Sequence, residues 1–406
     1  MKSLVIFTSR FPYPPGEEFL MNEVDELAKY FTSVQILPMN HVNAPKKQVP
    51  KNVEVLTAKR GDGRVLRTIK LIADFQSLSW MIKELPAASK HGIKAILKLV
   101  NWTAVTSEIK RNIQSSTLIP LEDETVFYSY WLTPSATALA MLKEKYPDIK
   151  AVSRVHGGDL YLERHSPAYL PFQGKVIRTL DQTISISENG REYLNKLHPD
   201  VKKKISVSRL GTKNEYPYQN KGKSTPLKLV SCSYLKPVKR IHLLVEALKS
   251  THSPIEWTHI GDGPERRRIE ALVKELPDNI VVHFLGNLNN KEVIQQYQTN
   301  SYDLFINVSE SEGIPVTIME AFSFGIPVVA TNVGGTSELV NQENGYLLQK
   351  DFPPKELAKI LEDYVQLPPE FSQQKSLQAY KTWDQHYNAV KNYNKFADLL
   401  KGVSKK

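Results

Sequence analysis

The stretch SYDLFINVSESEGIPVTIMEAFSFGIPVVAT, residues 301–331, contains one complete strand–helix–strand unit. Its apolar run Leu304–Val308 is typical of a buried strand, and Val328–Thr331 is typical of the next one. Between them, Pro315 suits the first turn of a helix, where the missing N–H of proline costs nothing. Strands that alternate with helices form parallel sheets with helices on both faces, so this stretch predicts an α/β fold.

The same alternation runs almost from end to end of the chain and is interrupted once, by the polar, turn-rich segment GTKNEYPYQNKGKSTP. We therefore predict an N-terminal Rossmann-like domain over residues 1–212, a linker over 213–226 and a C-terminal Rossmann-like domain over 227–385. The last helical pattern, within 386–406, is expected to pack back on the N-terminal domain. Ligands of such sheets bind at the carboxyl ends of the strands, so candidate residues are sought there.

The bulk composition describes an ordinary globular protein. The 406 residues are 41% hydrophobic and 24% charged, and Cys232 is the single cysteine, so no internal disulfide can form. The first apolar run, Leu4–Phe7, is too short for the core of a signal peptide, and no stretch approaches the roughly 18–20 apolar residues of a membrane span. These features predict a cytoplasmic protein that does not span a membrane.

The formal charge of +10 suits a partner that is nucleic acid, anionic lipid or a phosphorylated small molecule. Composition alone leaves these three open. No recognised nucleic-acid motif occurs in the chain, so we expect no nucleic-acid partner. Phosphate loops of the GxxxxGK[ST] type, HExxH and DxD pairs are also missing from the sequence, which predicts neither a metal nor a cofactor. The turn GDGPER (261–266) lacks the third glycine of a dinucleotide fingerprint and is better explained as a strand-to-helix turn.

Two glutamates stand around the helix that Pro315 opens. Glu312 precedes the helix, and its carboxylate can either cap the free N–H groups of the first turn or bind a ligand. Glu320 lies more than two turns inside, among apolar neighbours, where a carboxylate requires donors such as sugar hydroxyls. The residues themselves leave a ligand role and a structural role for Glu320 equally open.

A basic cluster and a histidine follow two other predicted strands. Lys236, Lys239 and Arg240 stand where a helix is expected to begin near Val238, and cations there oppose the helix dipole unless an anion is bound. Side chains splayed into solvent are the alternative, and we favour Lys239 as the phosphate ligand. In SRVHGGDLY, His156 ends a strand and precedes two glycines that let a ligand approach the backbone. A purely structural histidine is equally compatible with this pattern.

Taken together, these motifs resemble the retaining, two-domain GT-B glycosyltransferases of family four, the group that includes sucrose synthase. SEGIPVTIMEAF is similar to the E-x7-E motif of the family, SRVHGGDLY to its histidine loop, SCSYLKPVKRIHLLVEAL to its strand–lysine–helix segment and HIGDGPERRRIE to its GDGP turn. In style the chain is nearest to bacterial envelope and exopolysaccharide glycosyltransferases. The resemblance implies two facing domains with a deep interdomain cleft.

The resemblance also implies a metal-independent, hexosyltransferase-type enzyme that moves a sugar from a UDP- or GDP-type donor to a saccharide or lipid-linked acceptor, with retention, in cell-surface polysaccharide biosynthesis. Lys239 would neutralise the diphosphate, Glu312 would bind the donor sugar, Glu320 the ribose hydroxyls, and His156 would orient the sugar. The catalytic residues implied are His156, Glu312 and Lys239. The donor-binding residues implied are Gly16, Tyr234, Lys239, Arg240, Asn287, Leu288, Glu312, Gly313, Ile314, Pro315, Val316 and Glu320.

Two departures from the family pattern keep alternatives open. Tyr234 stands where the family usually carries an arginine, so half of the cationic clamp on the diphosphate is missing. The first loop has the single glycine Gly16, where the family often has a pair. A non-catalytic GT-B subunit that binds an acceptor or a protein is therefore one alternative, and a nucleotide-sugar epimerase on the same fold is another.

The region Arg64–Ile113 is least like the family. Lys90, Lys94 and Lys98 are spaced four apart, which predicts one basic stripe on a helix. Such a helix can lie on an anionic membrane, and the alternative is a helix that packs its apolar face into the core of the N-terminal domain. The first interpretation predicts peripheral contact with the inner face of the membrane.

Overall fold

The computed structural model describes residues 3–14, 16–17, 19–40, 44–56, 62–115, 125–220 and 222–403. The chain forms two compact units, and each is described by itself. Unit 1 comprises Met1–Leu210 and Asn392–Lys406, and unit 2 comprises Gly211–Lys391.

Unit 1 is built on a parallel seven-stranded sheet with the order β3-β2-β1-β4-β5-β6-β7. Its strands are β1 (Ser3–Thr8), β2 (Ser33–Pro38), β3 (Val53–Val55), β4 (Thr125–Ser129), β5 (Lys150–Val155), β6 (Gln182–Ser185) and β7 (Ile205–Val207). Its helices are α1 (Leu20–Leu27), α2 (Arg64–Ile72), α3 (Phe75–Ser89), α4 (Ile93–Gln114), α5 (Pro134–Lys145), α6 (Gly157–Leu160), α7 (Gln173–Thr179) and α8 (Glu188–Leu197).

Unit 2 is built on a parallel six-stranded sheet with the order β10-β9-β8-β11-β12-β13. Its strands are β8 (Leu227–Cys232), β9 (Ile255–Ile260), β10 (Ile280–Gly286), β11 (Leu304–Asn307), β12 (Val328–Thr331) and β13 (Gly345–Leu348). Its helices are α9 (Ile241–Leu248), α10 (Arg266–Val273), α11 (Asn290–Thr299), α12 (Val316–Ser323), α13 (Pro354–Gln366) and α14 (Pro369–Thr382). The last helix, α15 (Ala389–Val403), belongs to unit 1 from Asn392 onward.

The sheet of unit 1 is covered on both faces because alternate side chains of each strand point to opposite sides. Val5 and Phe7 of β1 join the core that contains helices α3, α4, α5 and α7. Leu4 and Ile6, the residues between, join a second core that α1 and α15 complete. In this second core Phe396 lies under the strands, so the end of the chain supplies part of the packing of unit 1.

Each sheet has one position where the strand order reverses. In unit 1 it lies between β1 and β4, and in unit 2 between β8 and β11. Connections leave these neighbouring strands in opposite directions, so a crevice opens at the carboxyl ends of the pair. Candidate residues of both units follow these four strands.

Two local predictions were wrong. The helix expected from Val238 begins at Ile241, because Pro237–Lys239 form a single 3₁₀ turn and Arg240 adopts a left-handed conformation with φ of 49°. The stripe of Lys90, Lys94 and Lys98 does not exist as one helical surface. Gly92, with φ of 82°, separates Lys90 from the start of α4, and the Lys98 ammonium donates to the carbonyl of Tyr169 at 2.6 Å.

Candidate functional site

In unit 2 the loops after β8 and β11 bring Lys239 and Glu312 together. The Lys239 Nζ lies 2.7 Å from Glu312 Oε1, and the two side chains are 25% and 11% exposed. Asn307, the last residue of β11, donates its amide to the same carboxylate oxygen at 3.3 Å. An ion pair thus occupies the crevice where the strand order reverses, and its cation remains accessible to an anionic ligand.

The backbone around Glu312 is held by a glycine pair in the next loop. Gly334 has φ of 57°, and a Cβ there would lie 2.0 Å from the carbonyl oxygen of Glu312. The adjacent Gly335 donates its N–H to the carbonyl of Gly313 at 2.8 Å. Any side chain at Gly334 would therefore displace the loop that carries Glu312. The double glycine was visible in the sequence, but its task was not predicted.

Arg240, the residue after Lys239, binds backbone carbonyls of the loop after β11. Its guanidinium Nε donates to the carbonyl of Val308 at 2.9 Å, and a second nitrogen lies 3.3 Å from the carbonyl of Ser309. These bonds tie the loop after β8 to the loop after β11. The prediction that Arg240 binds the donor stays untested, and its observed contacts give the residue a positioning task.

Tyr234 and Lys236 stand on the outside of the same loop. The Tyr234 side chain is 64% exposed, and the Lys236 ammonium lies 5.5 Å from the centre of its ring. The loop itself is held by the GDGPER turn, since a Cβ on Gly261 would lie 2.0 Å from the carbonyl oxygen of Ser233. GDGPER joins β9 to α10 and is therefore a strand-to-helix turn, and its glycines serve close packing.

Helix α12 begins directly after Glu312, Gly313 and Ile314, with Pro315 as its N-cap residue and Val316 as its first residue. Pro315 and Ile314 are buried, while Gly313 and Val316 are partly exposed. The free N–H groups of the first turn and the helix dipole make this end attractive to anions. The start of α12 thus follows directly on the loop whose Glu312 pairs with the ammonium of Lys239.

Glu320 lies inside α12 and is 8% exposed. Burial raises the pKa of its carboxyl to about 7, against the lowering effect of one hydrogen bond from Asn290. The Asn290 amide donates to Glu320 Oε1 at 2.7 Å. Asn290 is the first residue of α11, two residues after Leu288, which with Asn287 was predicted to bind the donor. No motif marked Asn290, because its partner lies on a different helix of the unit.

In unit 1 the crevice between β1 and β4 contains Glu17 in a cage of donors. Its carboxylate accepts the backbone N–H groups of Ser9, Arg10 and Phe11, at 2.9, 2.6 and 2.8 Å. The indole N–H of Trp131 donates to the same carboxylate at 2.5 Å. Glu17 has φ of 56°, and the adjacent Gly16, predicted to line the donor site, has φ of 106°.

His156 packs against the indole that Glu17 holds. Its ring centre lies 4.2 Å from that of Trp131 and 4.7 Å from that of Tyr130. Both ring nitrogens are buried, and neither has a hydrogen-bond partner among the described residues. Burial, aided by the nearby charge of Arg154, holds the pKa of His156 well below its usual value, so the ring is neutral at pH 7. A neutral imidazole with free nitrogens suits a hydroxyl better than a phosphate.

The backbone at His156 is fixed by a buried carboxylate. Asp159 accepts the N–H groups of His156 and Leu132, both at 2.6 Å. Burial raises the pKa of Asp159 to about 7, against the lowering effect of these bonds. Over the ranges that the structure covers, no three His, Cys, Asp or Glu side chains group as they would around a metal ion.

Comparison with known proteins gives the family context. Residues 212–382 match the model of the family described as glycosyl transferases group 1. The chain is 30% identical over 229 residues to WcaL of Escherichia coli K12, described as a putative colanic acid biosynthesis glycosyltransferase, and the match covers 54% of the chain and 56% of WcaL. It is 27% identical to protein CapJ of Staphylococcus aureus over 325 residues, which are 79% of the chain and 74% of CapJ. The chain thus spans little more than half the length of WcaL.

Solved structures share the fold over nearly the whole chain. Anabaena HepE in complex with UDP superposes with a TM-score of 0.66 at 17% identity, covering 99% of the chain and 100% of HepE. The lipopolysaccharide outer core galactosyltransferase WaaB superposes with a TM-score of 0.67 at 18% identity, covering 98% of the chain and 99% of WaaB. The two-domain α/β fold is therefore that of the GT-B glycosyltransferases.

Proposed function

We propose that this chain is a retaining glycosyltransferase that moves a sugar from a UDP- or GDP-type donor to a saccharide or lipid-linked acceptor in cell-surface polysaccharide biosynthesis. The observation that carries the proposal is the contact between Lys239 and Glu312 at the point where the strand order of unit 2 reverses. A cation and a hydroxyl acceptor side by side match the two ends of a nucleotide sugar: a charged diphosphate and a neutral hexose.

Each residue of unit 2 then has a defined part. Lys239 leaves its contact with Glu312 to pair with the diphosphate, which the N-terminus of α12 also attracts. Glu312, relieved of its cation, accepts hydrogen bonds from hydroxyls of the donor sugar. Glu320 accepts from the ribose hydroxyls, and the backbone at Asn287 and Leu288 holds the base. The ammonium of Lys239 supplies the charge neutralisation for which other transferases use a metal ion.

Transfer with retention proceeds on one face of the sugar. The acceptor hydroxyl oxygen forms a bond to the anomeric carbon as the bond from that carbon to the phosphate oxygen breaks. The proton of the acceptor hydroxyl passes to the departing phosphate oxygen, so no carboxylate nucleophile is required. Neutral His156 is proposed to hydrogen-bond the donor sugar and hold it in the reactive orientation.

The relatives support a role in envelope polysaccharides. WcaL is described as a putative colanic acid biosynthesis glycosyltransferase. HepE has been solved in complex with UDP, and WaaB is described as a lipopolysaccharide outer core galactosyltransferase. We propose that the acceptor is carried on a lipid and that transfer takes place at the inner face of the membrane. The attachment proposed is peripheral. No described helix is both long and apolar enough to cross a bilayer.

The test is thermal stabilisation of the protein by a panel of UDP-, GDP- and ADP-sugars. A ligand that binds only the native state raises the melting temperature by mass action. We expect one donor class to stabilise wild type and the surface control Lys274→Ala, but neither Lys239→Ala nor Glu320→Ala. Product formation with that donor and an extracted acceptor, analysed for anomeric configuration, then tests transfer and retention. Equal stabilisation of all four proteins would overturn the assigned site.

A non-catalytic subunit is the second candidate, and the exposed side chain of Tyr234 favours it. With a tyrosine in place of the usual arginine, the diphosphate would meet one assigned cation where the family has two. If donors stabilise the wild-type protein but are neither hydrolysed nor transferred, the chain is a donor-binding or acceptor-binding partner. Slow hydrolysis of the donor in the absence of acceptor would exclude this candidate.

A further inference from the structure

Helix α2 of unit 1 exposes four of its five apolar side chains, and only Leu71 is buried. Val65, Leu66, Ile69 and Ile72 are exposed by 74, 47, 57 and 67%, and Phe75 at the start of α3 is exposed by 83%. Together these five residues form a projecting strip, here named the α2 crest. A helix at the surface of a globular protein normally turns such residues inward, so this orientation is inverted.

Arg67 of α2 faces the protein, whereas Thr68 and Lys70 are exposed. The Arg67 guanidinium pairs with Glu108 of α4 at 2.7 Å, and the two side chains are 22% and 12% exposed. Lys70 pairs with Asp62 at 2.9 Å. The partly buried pair of Arg67 with Glu108, together with the buried side chain of Leu71, fixes the rotation of the helix, so the crest cannot turn into the core without breaking them. The exposed apolar face is therefore built into the fold.

The charge around the crest is positive or neutralised. Among the described residues, Asp62 and Glu108 are the acidic groups that pair with α2, each with one of its cations. Asp74, at the start of α3, is held by the ammonium of Lys110 at 2.6 Å. On the hairpin of α3 and α4, the ammonium groups of Lys83, Lys90 and Lys94 are exposed and form no ion pair with any described residue. The exposed face of this helical layer thus combines apolar side chains with unneutralised lysines.

Both features match one kind of partner. The crest side chains are mostly more than half exposed and stand on a convex helix, so they can enter a deformable apolar phase without a pre-shaped pocket. The exposed lysines of α3 and α4 attract anionic headgroups. We infer that the α2 crest inserts into the interface of an anionic lipid bilayer, with Lys83, Lys90 and Lys94 on the headgroups.

This inference rests on the proposed function for its purpose, since a lipid-linked acceptor is presented at a bilayer. It differs from the helical lysine stripe predicted from the sequence. The insertion comes from Val65, Leu66, Ile69, Ile72 and Phe75, while Lys98 is engaged by a backbone carbonyl and takes no part. The basic residues contribute attraction, and the apolar crest contributes the depth of insertion.

The experiment is co-sedimentation of the full chain with vesicles of phosphatidylcholine alone or mixed with phosphatidylglycerol. We expect binding to the anionic vesicles, with a partition coefficient that falls about tenfold or more in Ile69→Asp/Phe75→Asp. Phe371→Asp is the matched control, because Phe371 is 52% exposed and belongs to unit 2. Lys83→Gln/Lys90→Gln/Lys94→Gln should remove the preference for anionic over neutral vesicles.

Two outcomes would overturn the inference. If the crest variant binds vesicles as well as wild type and the Phe371→Asp control do, the crest does not insert. If wild type ignores vesicles but self-associates, and Ile69→Asp/Phe75→Asp is monomeric, the crest is an interface between copies of the chain. Melting temperature and donor stabilisation of every variant are measured alongside. They separate a failed membrane site, with donor binding intact, from a failure of the proposed function.

Discussion

The two crevices of this protein occupy the same place in their sheets and are filled differently. In unit 2 the crevice contains the partly exposed ammonium of Lys239 against Glu312. In unit 1 the carboxylate of Glu17 fills a nest of three backbone N–H groups and an indole N–H. The first crevice offers a cation to a ligand. The second satisfies its donors with a side chain of its own.

The crevice of unit 2 thus has an accessible charge that could bind a ligand, whereas the charged group in the crevice of unit 1 holds neighbouring residues in position. Consecutive backbone N–H groups after a strand form an anion site, which in many proteins takes a phosphate. Here Glu17 occupies that site and uses its remaining lone pair to hold Trp131, whose ring packs on His156. Unit 1 therefore contains a neutral aromatic cluster in which the buried imidazole nitrogens of His156 have no hydrogen-bond partner among the described residues. The partly exposed cation belongs to unit 2.

Removing the cation of unit 2 should have the largest effect. In Lys239→Met the ammonium is lost while much of the side-chain length is kept, so we expect kcat/KM for the donor to fall by about 100-fold or more. The variant also leaves the carboxylate of Glu312 without its cation. The measurement is donor hydrolysis, with Lys236→Met as the control for loss of a nearby positive charge.

The double variant Lys239→Met/Glu312→Gln separates the two consequences. It removes the uncompensated carboxylate, so its melting temperature should recover toward wild type while activity stays low. Recovery of activity in the double variant would mean that Lys239 serves only to neutralise Glu312. The proposed contact with the diphosphate would then be wrong.

Emptying the nest of unit 1 should be the next largest change. Glu17→Ala leaves several buried donors without an acceptor, and we expect the free energy of unfolding to fall by about 1–3 kcal/mol. Glu17→Gln retains the shape and is expected to be milder in stability. In both, kcat should fall by about tenfold with little change in the donor KM, because the residue acts through Trp131 and His156.

A spectroscopic signal checks this route. The emission of Trp131 should shift when its indole loses the carboxylate acceptor, and Trp131→Phe identifies that signal among the five tryptophans of the chain. A variant of Glu17 with wild-type kcat and lowered stability would limit the residue to a structural role. The contrast between the two crevices would then be one of packing alone.

The sequence predicted the architecture well because its evidence is local. Apolar β-rich runs separated by helical patterns identify the strands of both sheets, and Pro315 marks the start of α12 to within one residue. The start of α9 was misplaced because Arg240 adopts a positive φ, which is rare for a residue other than glycine. Nothing in the residue type announces that conformation.

The composition of the site was harder to predict than its location. Lys239 and Glu312 were each expected to bind a ligand, but their contact with each other depends on β8 and β11 being neighbours in the sheet. Glu17 was passed over because most of its partners are backbone N–H groups, which every residue but proline carries. Asn290 was missed because α11 and α12 meet only in the folded unit.

Protonation of Glu320 in unit 2 should have a smaller effect, on the affinity for a nucleotide sugar. Its carboxyl has a pKa of about 7 in the free protein. If Glu320 binds the ribose as proposed, only its ionised form accepts both hydroxyls, so affinity for a nucleotide sugar should rise up to about tenfold between about pH 6 and about pH 8, with a proton released on binding. Calorimetry in buffers of different ionisation enthalpy measures this proton. A nucleotide sugar is used because its diphosphate does not titrate in this range.

The control is Glu320→Gln, which should bind more weakly and without the pH dependence. Stability changes in the opposite sense to binding. A pKa raised on folding stabilises the protonated protein, so this carboxyl lowers the free energy of unfolding as pH rises from about 4.5 to about 7. Glu320→Gln removes the contribution of this carboxyl to the pH dependence of the free energy of unfolding. Asp159, whose pKa is also about 7, contributes a similar pH dependence in both proteins. An unchanged proton release in the variant would assign the titration to another group.

The smallest effect should come from placing an arginine at the position of Tyr234. The side chain is exposed, so Tyr234→Arg is expected to leave the melting temperature within about 1–2 °C of wild type. If the diphosphate lies between this position and Lys239, the added guanidinium should tighten donor binding about threefold to tenfold, and Tyr234→Gln should not. Donor affinity is measured by calorimetry on both variants.

The double variant Lys239→Met/Tyr234→Arg tests how the gain in donor affinity from Tyr234→Arg arises. There the diphosphate is no longer held in place, so the gain from Tyr234→Arg should vanish. A gain that persists would mean that the introduced guanidinium attracts the donor from a distance, and high salt would then abolish it. The crevice of unit 2 already offers an accessible cation, whereas the nest of unit 1 is filled by a carboxylate. The size of the gain in donor affinity therefore measures how much of the charge of the diphosphate Lys239 neutralises by itself.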